Sequence, residues 1–284
     1  MSTNRAERLR RHLEEQYRGI FDTALIQRHI DEYIDTRNAG EFAAFLVERG
    51  HGGQRMLDIG SGYGANVLAA RNAGIDARGL ELAPFEVAFA RDRLPVERPG
   101  DVPEEVYVQG SGLEPPFESE SFDVVTLMNV IEHVPDSARL LSEAVGLLKP
   151  GGILYAVCPN YAAFRLEAHY QVPWPPLLPR LLASFYLRVL GRNPLFFERD
   201  IHYCTNWGVL SALSVLPVRV EISGMEKIDE PAAIGHRGIR FVVATLHRLK
   251  MAWFCRFVVA VRFFNPFNPF KPTINIAAKK MVVS

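Results

Sequence analysis

Short apolar runs alternate with helical patterns through the middle of the chain. Residues 56–59 form an apolar run typical of a strand buried on both faces, and good helix formers follow at 65–71. Further strands are predicted at 76–82, 106–109, 122–127 and 153–158, a loop at 98–103, and helices that begin at Pro84 and after the capping residue Asp136. Strands that alternate with helices predict a parallel sheet covered by helices.

The segments outside this alternation have different patterns. Residues 4–50 have the apolar periodicity of helices, whereas residues 161–205 are rich in aromatic residues, prolines and arginines. Within the second segment an amphipathic helix is predicted at 179–190. Two more strands, at 218–228 and 273–283, are expected on either side of a long insertion. We therefore expect an α/β core with additions before it, after its fifth strand and within its last strand pair.

The insertion before the last strand is both basic and aromatic. Four of its apolar residues fall on one helical face, namely Trp253, Phe257, Ala260 and Phe264. Three Phe-x-Pro triplets follow in residues 264–272, with a spacing typical of polyproline II. Charges interrupt the apolar run well short of a membrane span. Such a face suits a membrane interface, and the alternatives are burial against the core or in a dimer.

The overall charge balance hides an asymmetry along the chain. The net charge is zero, with 32 Lys and Arg against 32 Asp and Glu. Residues 201–284 hold 11 Lys and Arg and 4 Asp and Glu, a balance of +7, so residues 1–200 hold 21 and 28, a balance of −7. A basic, apolar segment on an acidic core suggests that the segment binds an anionic surface or substrate. The alternative is that it forms a cationic face exposed to solvent.

The cysteines and the first residues indicate a cytoplasmic protein. Cys158, Cys204 and Cys255 are widely spaced and form no metal or disulfide pattern, which suggests a reducing compartment. The first residues are polar and show no signal-peptide core.

A glycine-rich turn after the first strand is the clearest candidate for ligand binding. Gly60, Gly62 and Gly64 allow the backbone to turn sharply or to approach a ligand closely. Glu81 ends the second strand 21 positions after Gly60, the spacing at which a carboxylate accepts hydrogen bonds from the two hydroxyls of a ribose. The third glycine of the dinucleotide fingerprint is missing, and no Lys-Ser/Thr pair follows, which argues against a P-loop.

Five ordered motifs support this interpretation. They are residues 57–64, Glu81, Pro116-Phe117 with residues 121–125, residues 131–134 (Ile-Glu-His-Val), and residues 148–152 (Leu-Lys-Pro-Gly-Gly). Together they resemble the class I S-adenosylmethionine-dependent methyltransferases, of the methyltransferase domain 11 type that includes the ubiquinone and menaquinone methylases, over roughly residues 50–160. The resemblance implies a doubly wound, seven-stranded Rossmann-like sheet in the order 3-2-1-4-5-7-6, with N-terminal helices and a helical cap.

The resemblance also implies a division of the chain. Residues 1–50 would form an N-terminal helical lid, 51–160 the cofactor-binding core, 161–215 an acceptor-binding cap, and 216–284 the last strands with a basic aromatic helical insertion at about 231–271. S-adenosyl-L-methionine would be the cofactor and S-adenosyl-L-homocysteine the product. The residues expected to bind it are Asp58, Gly60, Ser61, Gly62, Gly64, Glu81, Leu82, Ser111, Gly112 and Asn129.

Two positions depart from the resembled pattern. Ser111 stands where an Asp commonly binds the adenine amino group, and a hydroxyl accepts a hydrogen bond more weakly than a carboxylate. Asn129 stands where some quinone methylases carry the first acid of a metal-linked Glu-x-x-Glu-His motif. No metal is therefore expected. Arg28, Tyr33 or Arg37 could reach the methionine carboxylate from the lid.

The expected reaction is methyl transfer to oxygen on a small-molecule or lipid-linked acceptor, such as a sugar or a quinone-like compound. The alternatives are a carbon or nitrogen methylase and a cofactor-binding scaffold without catalysis. Because the cofactor is already activated, the enzyme mainly aligns the acceptor and removes a proton. Histidine is the natural base near neutral pH, so the candidate catalytic residues are His133, His169 and His202, joined by Tyr170; Glu167 and Tyr203 are further polar candidates.

The predicted partners follow from the same residues. Nucleic acid is not expected as a substrate, because no Asp/Asn-Pro-Pro-Tyr/Phe motif is present. Residues 237–271 predict peripheral membrane contact, which would place the protein at the inner face of the membrane. The sequence does not determine the oligomeric state.

Overall fold

The computed structural model describes residues 3–34, 36–221, 231–234, 237–264 and 273–282. Its helices are α1 (Thr3–Gln16), α2 (Thr23–Ile34), α3 (Arg37–Glu48), α4 (Ala65–Asn72), α5 (Pro84–Glu97), α6 (Pro103–Val106), α7 (Ser137–Leu147), α8 (Arg180–Val189), α9 (Leu195–Asp200), α10 (Asn206–Ser214), α11 (Arg237–Arg248) and α12 (Ala252–Phe264). Its strands are β1 (Arg55–Ile59), β2 (Asp76–Glu81), β3 (Tyr107–Gln109), β4 (Phe122–Met128), β5 (Leu148–Pro159), β6 (Arg165–Leu166), β7 (Pro173–Trp174), β8 (Val218–Glu221) and β9 (Thr273–Lys280). Short 3₁₀ turns lie at Ile131–His133 and Pro231–Ala233.

The main sheet has seven strands in the order β3-β2-β1-β4-β5-β9-β8, which confirms the predicted order. Strands β1 to β5 run parallel, and β9 pairs antiparallel with both β5 and β8. In this register Ile59 is level with Leu80 on β2 and with Leu127 on β4. The carboxyl ends of β1, β2 and β4 therefore meet at one edge of the sheet, where an open α/β sheet binds its ligands.

Several element boundaries differ from the sequence-based expectation. Pro103 begins the short helix α6, where residues 98–103 were expected to be loop, and β3 therefore starts only at Tyr107. Strand β5 begins at Leu148 rather than at residue 153, because the backbone continues through Gly151 at a φ of 81°. The second half of the strand predicted at 218–228 and the triplets after Phe264 lie outside the described residues.

The buried side chains form layers that explain how the site is enclosed. Apolar residues of β1, β4, β5 and β9 pack against α7 and α10 on one face of the sheet, and a second cluster covers the opposite face with α4 and α5. A third cluster joins the N-terminal helices to the segment after β5. It contains Leu9, Leu13, Ile26, Ile30, Tyr170, Trp174, Leu187 and Phe196. The lid and the cap are therefore packed on each other and cover the sheet edge together.

Helices α11 and α12 form the insertion between β8 and β9, and most of their apolar side chains are exposed. Trp253 is 62% exposed and Phe257 is 58% exposed, whereas Val243 is 8% exposed. The alternative that Trp253 and Phe257 are buried against the core is therefore wrong; the side chains of Ala260 and Phe264 lie outside the described set. Among the residues that the structure describes, every helix is too short or too polar to traverse a lipid bilayer.

Candidate active site

A large cavity of about 1170 Å³ lies over the carboxyl ends of β1, β2 and β4. Its floor is the sheet edge, and its walls come from the lid and the cap. Of the residues predicted to bind cofactor or to catalyse, these line it: Gly60, Ser61, Gly62, Glu81, Leu82, Ser111, Gly112, Asn129, His133 and His169. The structure therefore brings residues from distant parts of the chain to one space.

At two of its three glycines, the turn has no room for a larger side chain. Gly60 has a φ of 70°, and a Cβ atom there would lie 2.4 Å from Cγ2 of Val130. The backbone N–H groups of Gly60 and Ser61 donate to the Leu80 carbonyl at 2.8 Å and 3.1 Å, which ties the turn to β2. At Gly64 a Cβ atom would lie 2.7 Å from the Tyr107 ring. Gly64 itself does not line the cavity and shapes the turn from behind.

Glu81 is held by the backbone that it faces. Its Oε2 accepts from the Gly62 N–H at 2.9 Å, and its Oε1 accepts from the Ala83 N–H at 2.9 Å. Each carboxylate oxygen keeps a second lone pair for a ligand. Two backbone N–H groups thus hold the carboxylate in place on the cavity wall.

Asp58 lies beneath the turn rather than on the cavity wall. It is 1% exposed, and the Thr126 hydroxyl donates to its Oδ1. Burial raises the pKa of Asp58 to about 7, although hydrogen bonds from Thr126 and Asn66 oppose that shift. Asn66 lines the cavity, so its hydrogen bond to Asp58 connects the buried carboxyl to a residue of the cavity wall.

The loops that follow β3 and β4 supply further residues to the cavity wall. The Ser111 hydroxyl accepts from the Leu113 N–H at 3.1 Å, so it shapes the loop as well as facing the cavity. Gly112 is required by close packing, since a Cβ atom there would lie 2.7 Å from Ile59. Asn129 has a φ of 57° and donates its backbone N–H to the Val157 carbonyl at 2.7 Å.

His133 and His169 form the polar centre of the cavity, with ring centroids 5.3 Å apart. His133 Nδ1 lies 2.9 Å from the Asp200 carbonyl, which can only accept, so Nδ1 carries the proton and Nε2 keeps its lone pair. Burial lowers the pKa of His133 to about 4, with the charge of His169 contributing. A neutral but weakly basic imidazole results.

His169 is paired with a buried carboxylate. Its Nδ1 lies 3.0 Å from Oε1 of Glu167, which is 1% exposed. Burial alone would raise the pKa of Glu167, but hydrogen bonds from His169 and Tyr170 and the charge of nearby Arg165 hold it at about 2. The ionised carboxylate accepts from Nδ1–H, so Nε2 of His169 is left to accept a proton.

Tyr170 and His202 lie outside the cavity lining. The Tyr170 hydroxyl accepts from the Phe197 N–H at 2.9 Å, and burial raises its pKa. The His202 N–H donates to the Glu132 carbonyl at 2.6 Å, and burial lowers the pKa of its imidazole. Tyr203 donates its hydroxyl to the Leu178 carbonyl at 2.6 Å. Tyr170 and Tyr203 thus connect segments of the cap, and His202 connects the cap to the 3₁₀ turn at Ile131–His133.

Several cavity residues were not singled out from the sequence. Tyr17 and His29 reach the cavity from the lid beside Tyr33, which was one of the proposed carboxylate partners. Glu86 also lines it, and burial together with the charge of Glu81 raises its pKa to about 8. An acid in the first turn of α5 looks like an ordinary helix N-terminus, so the sequence carried no signal for it. Arg165 also lines the cavity and was likewise not singled out from the sequence.

Arg28 and Arg37 are not part of the cavity wall. In the described part of the chain, no group of three or more His, Cys, Asp or Glu is arranged to hold a metal ion.

The comparisons with known proteins agree with this geometry. Residues 57–156 match the family model of a methyltransferase domain. The chain carries a class I S-adenosylmethionine-dependent methyltransferase domain. A ubiquinone biosynthesis O-methyltransferase of Paramagnetospirillum magneticum is 35% identical over 134 residues, which cover 44% of this chain and 50% of that relative. The chain thus spans about half the length of that relative.

Other relatives of the methyltransferase domain act on different acceptors. A phosphoethanolamine N-methyltransferase 2 of Caenorhabditis elegans is 38% identical, over 35% of this chain and 22% of the relative.

Among solved structures, the YcgJ protein of Bacillus subtilis has a TM-score of 0.52 at 16% identity and covers 86% of this chain and 100% of its own. The Haemonchus contortus phosphoethanolamine N-methyltransferase 2, solved with S-adenosylhomocysteine, has a TM-score of 0.50 at 18% identity and covers 85% and 53%. At such identities these structures support the fold.

Proposed function

We propose that this protein transfers a methyl group from S-adenosylmethionine to an oxygen atom of a small-molecule or lipid-linked acceptor. The observation that carries the proposal is a cavity whose wall contains the glycine turn, Glu81 and His169, the partner of Glu167. Gly60, Gly62 and Glu81 would hold the cofactor, which supplies an activated methyl group. The cap residues would then hold the acceptor against it.

The acceptor proton is the chemical task that remains for the protein. Nε2 of His169 is the preferred base, because the buried Glu167 carboxylate holds the ring and stabilises the imidazolium that forms. His133 is the second candidate, and its low pKa makes it weaker in that role. Tyr170 and His202 are the less favoured candidates, since their contacts keep them outside the cavity lining.

An assay of S-adenosylhomocysteine formation across lipid-linked sugars, quinones and phenolic metabolites tests this function. Turnover with a hydroxyl acceptor, and loss of it in His169→Gln, would support the proposal. Turnover only with amines would favour nitrogen methylation, the alternative suggested by the C. elegans relative. Tight cofactor binding without turnover on any acceptor would favour a binding scaffold.

A second proposal concerns location: α11 and α12 hold the protein at the inner face of an anionic membrane. Residues 237–271 contain seven Lys and Arg and no acid, and several of the described apolar side chains among them, including Trp253 and Phe257, are exposed. Each basic residue near such a surface contributes about 1 kcal/mol, so a few suffice, and salt should weaken the attachment. A second copy of the chain is the competing occupant of this face.

Liposome flotation at low and high salt tests the membrane proposal. Phe257→Asp should release the folded protein from anionic vesicles, because Phe257 is 58% exposed. Val243→Asp is the matched comparison and should unfold the helix pair, because Val243 is 8% exposed. Absence of low-salt binding to anionic vesicles would refute attachment, and a concentration-dependent dimer would assign the face to a second copy.

A further inference from the structure

Arg165 is a buried cation on the wall of the cavity. It belongs to β6 and is 7% exposed. Its guanidinium carbon lies 4.9 Å from the centroid of the Tyr161 ring. Within the described residues, its Nε and Nη1 atoms are buried and have no hydrogen-bond partner. Buried guanidinium donors normally bind an acceptor, because leaving them unpaired costs the full desolvation free energy of the group.

The nearby carboxylates do not pair with these donors. Glu167 accepts from the backbone N–H groups of His169 and Tyr170 at 2.8 Å each, from His169 Nδ1 at 3.0 Å and from the Tyr161 hydroxyl at 3.3 Å. Its lone pairs are therefore used by other groups. Glu132 is 1% exposed, and its Oε2 also has no partner in the described part of the chain. The Arg165 donors and the Glu132 acceptor thus line the same cavity without a hydrogen bond between them.

Arg165 belongs to the cap segment that follows β5 in the chain. It lines the cavity together with Pro159 of β5 and Thr273 of β9. Glu81, which would bind the ribose, ends β2, and β1 and β4 lie between β2 and β5 in the sheet. Arg165 therefore belongs to the part of the cavity that the cap covers.

We propose that Arg165 binds a carboxylate carried by the methyl acceptor. This inference rests on the proposed methyl transfer and adds that the methyl acceptor carries a negative charge. One planar guanidinium matches the charge and shape of one planar carboxylate. A dianionic phosphate would place additional negative charge beside Glu132 and Glu167, so the balance of charges favours the carboxylate. The unpaired Glu132 oxygen would then face a polar group on the same acceptor.

The test is calorimetric titration of the full chain saturated with S-adenosylhomocysteine. The probes are benzoate, the neutral analogue benzamide, and phenyl phosphate. We expect benzoate to bind about tenfold to a hundredfold more tightly than benzamide, and Arg165→Met to abolish that preference. Arg165→Lys should retain only part of it, because lysine keeps the charge without the planar fork.

Arg199→Met is the matched control. Arg199 also lines the cavity, but its guanidinium is already paired with Asp200 at 2.9 Å. We expect its loss to change benzoate affinity by less than about twofold, as for an exposed ion pair. Equal losses in Arg165→Met and Arg199→Met would reduce the effect to general positive charge and overturn the assignment.

The remaining outcomes separate this inference from the proposed function. Equal or absent binding of benzoate and benzamide overturns the carboxylate site, and tighter binding of phenyl phosphate than of benzoate replaces it with a phosphate site. A loss of S-adenosylhomocysteine affinity in Arg165→Met, with Arg165→Lys still folded, would assign Arg165 to the methionine carboxylate instead. Failure of the unmodified protein to bind S-adenosylhomocysteine would count against the proposed function itself.

Discussion

The two halves of the cavity are built in different ways. In the half proposed to hold the cofactor, Glu81 accepts from two backbone N–H groups and the glycine turn is bonded to β2, while the buried Ser61 hydroxyl has no partner in the described residues. In the acceptor half, the cap supplies buried side chains, and Arg165 and Glu132 keep atoms without partners in the described residues. The unpaired atom in the first half belongs to a neutral hydroxyl, whereas those in the second half belong to the ionisable groups of Arg165 and Glu132, for which we propose a partner on the substrate.

The largest effect should come from the acceptor half. His169→Gln removes the preferred base, so kcat should fall about 10²–10⁴-fold while cofactor affinity stays unchanged. His202→Gln is the control, because that residue lies outside the cavity lining. Steady-state kinetics with calorimetry separate the two quantities. If His169→Gln retains normal turnover, His133 becomes the base, and the rate should then fall as pH drops through about 4.

The glycine turn should give the next largest effect. In Gly60→Ala, the φ of 70° and a methyl group 2.4 Å from Val130 Cγ2 would both have to be accommodated. We expect the free energy of unfolding to fall by about 2–4 kcal/mol, with cofactor affinity lowered as well. Gly100→Ala is the control, since nothing lies within 4 Å of its Cβ position. Equal denaturant midpoints for the two variants would refute the close approach at the turn.

Glu81 tests whether the cofactor half depends on exact polar pairing. Glu81→Gln should weaken binding by about 1.5–3 kcal/mol, roughly tenfold to a hundredfold. The substitution is not conservative, because an amide NH₂ would face the N–H of either Gly62 or Ala83. Glu114→Gln, at an exposed ion pair with Arg139, is the control. Unchanged calorimetric affinity in folded Glu81→Gln would contradict the ribose assignment.

The smallest effect should be the pH dependence of carboxylate binding in the acceptor half. Burial raises the pKa of Glu132 to about 7, while the charges of His169 and Arg165 lower it and that of Glu167 raises it. As pH rises through that value, Glu132 ionises beside the bound carboxylate, and benzoate affinity should fall roughly three- to tenfold between about pH 6 and pH 8. Glu132→Gln should remove the dependence. A dependence that persists in Glu132→Gln would contradict its assignment to Glu132.

Sequence motifs predicted the strand and turn of the proposed cofactor half because these features are local. The strand, the glycine turn and Glu81 lie within one βα unit and the strand after it, and the turn restricts which residues fit. The capping role predicted for Asp136 is likewise confirmed, since its Oδ1 accepts from the Arg139 N–H at 2.9 Å. Short-range steric and hydrogen-bonding rules decide such features, so they can be predicted without knowing the rest of the fold.

Tertiary structure alone decided the acceptor half. His169 and His202 both belong to the polar cap segment, yet only His169 lines the cavity, because the cap turns it inward beside Glu167. Arg165 had no distinguishing pattern in the sequence; in the structure β6 pairs with β7, and Arg165 lies on the cavity wall. Helical periodicity likewise placed Trp253 and Phe257 on one face but could not show that the face is exposed. A periodic pattern specifies which residues share a face, whereas long-range packing determines what that face contacts.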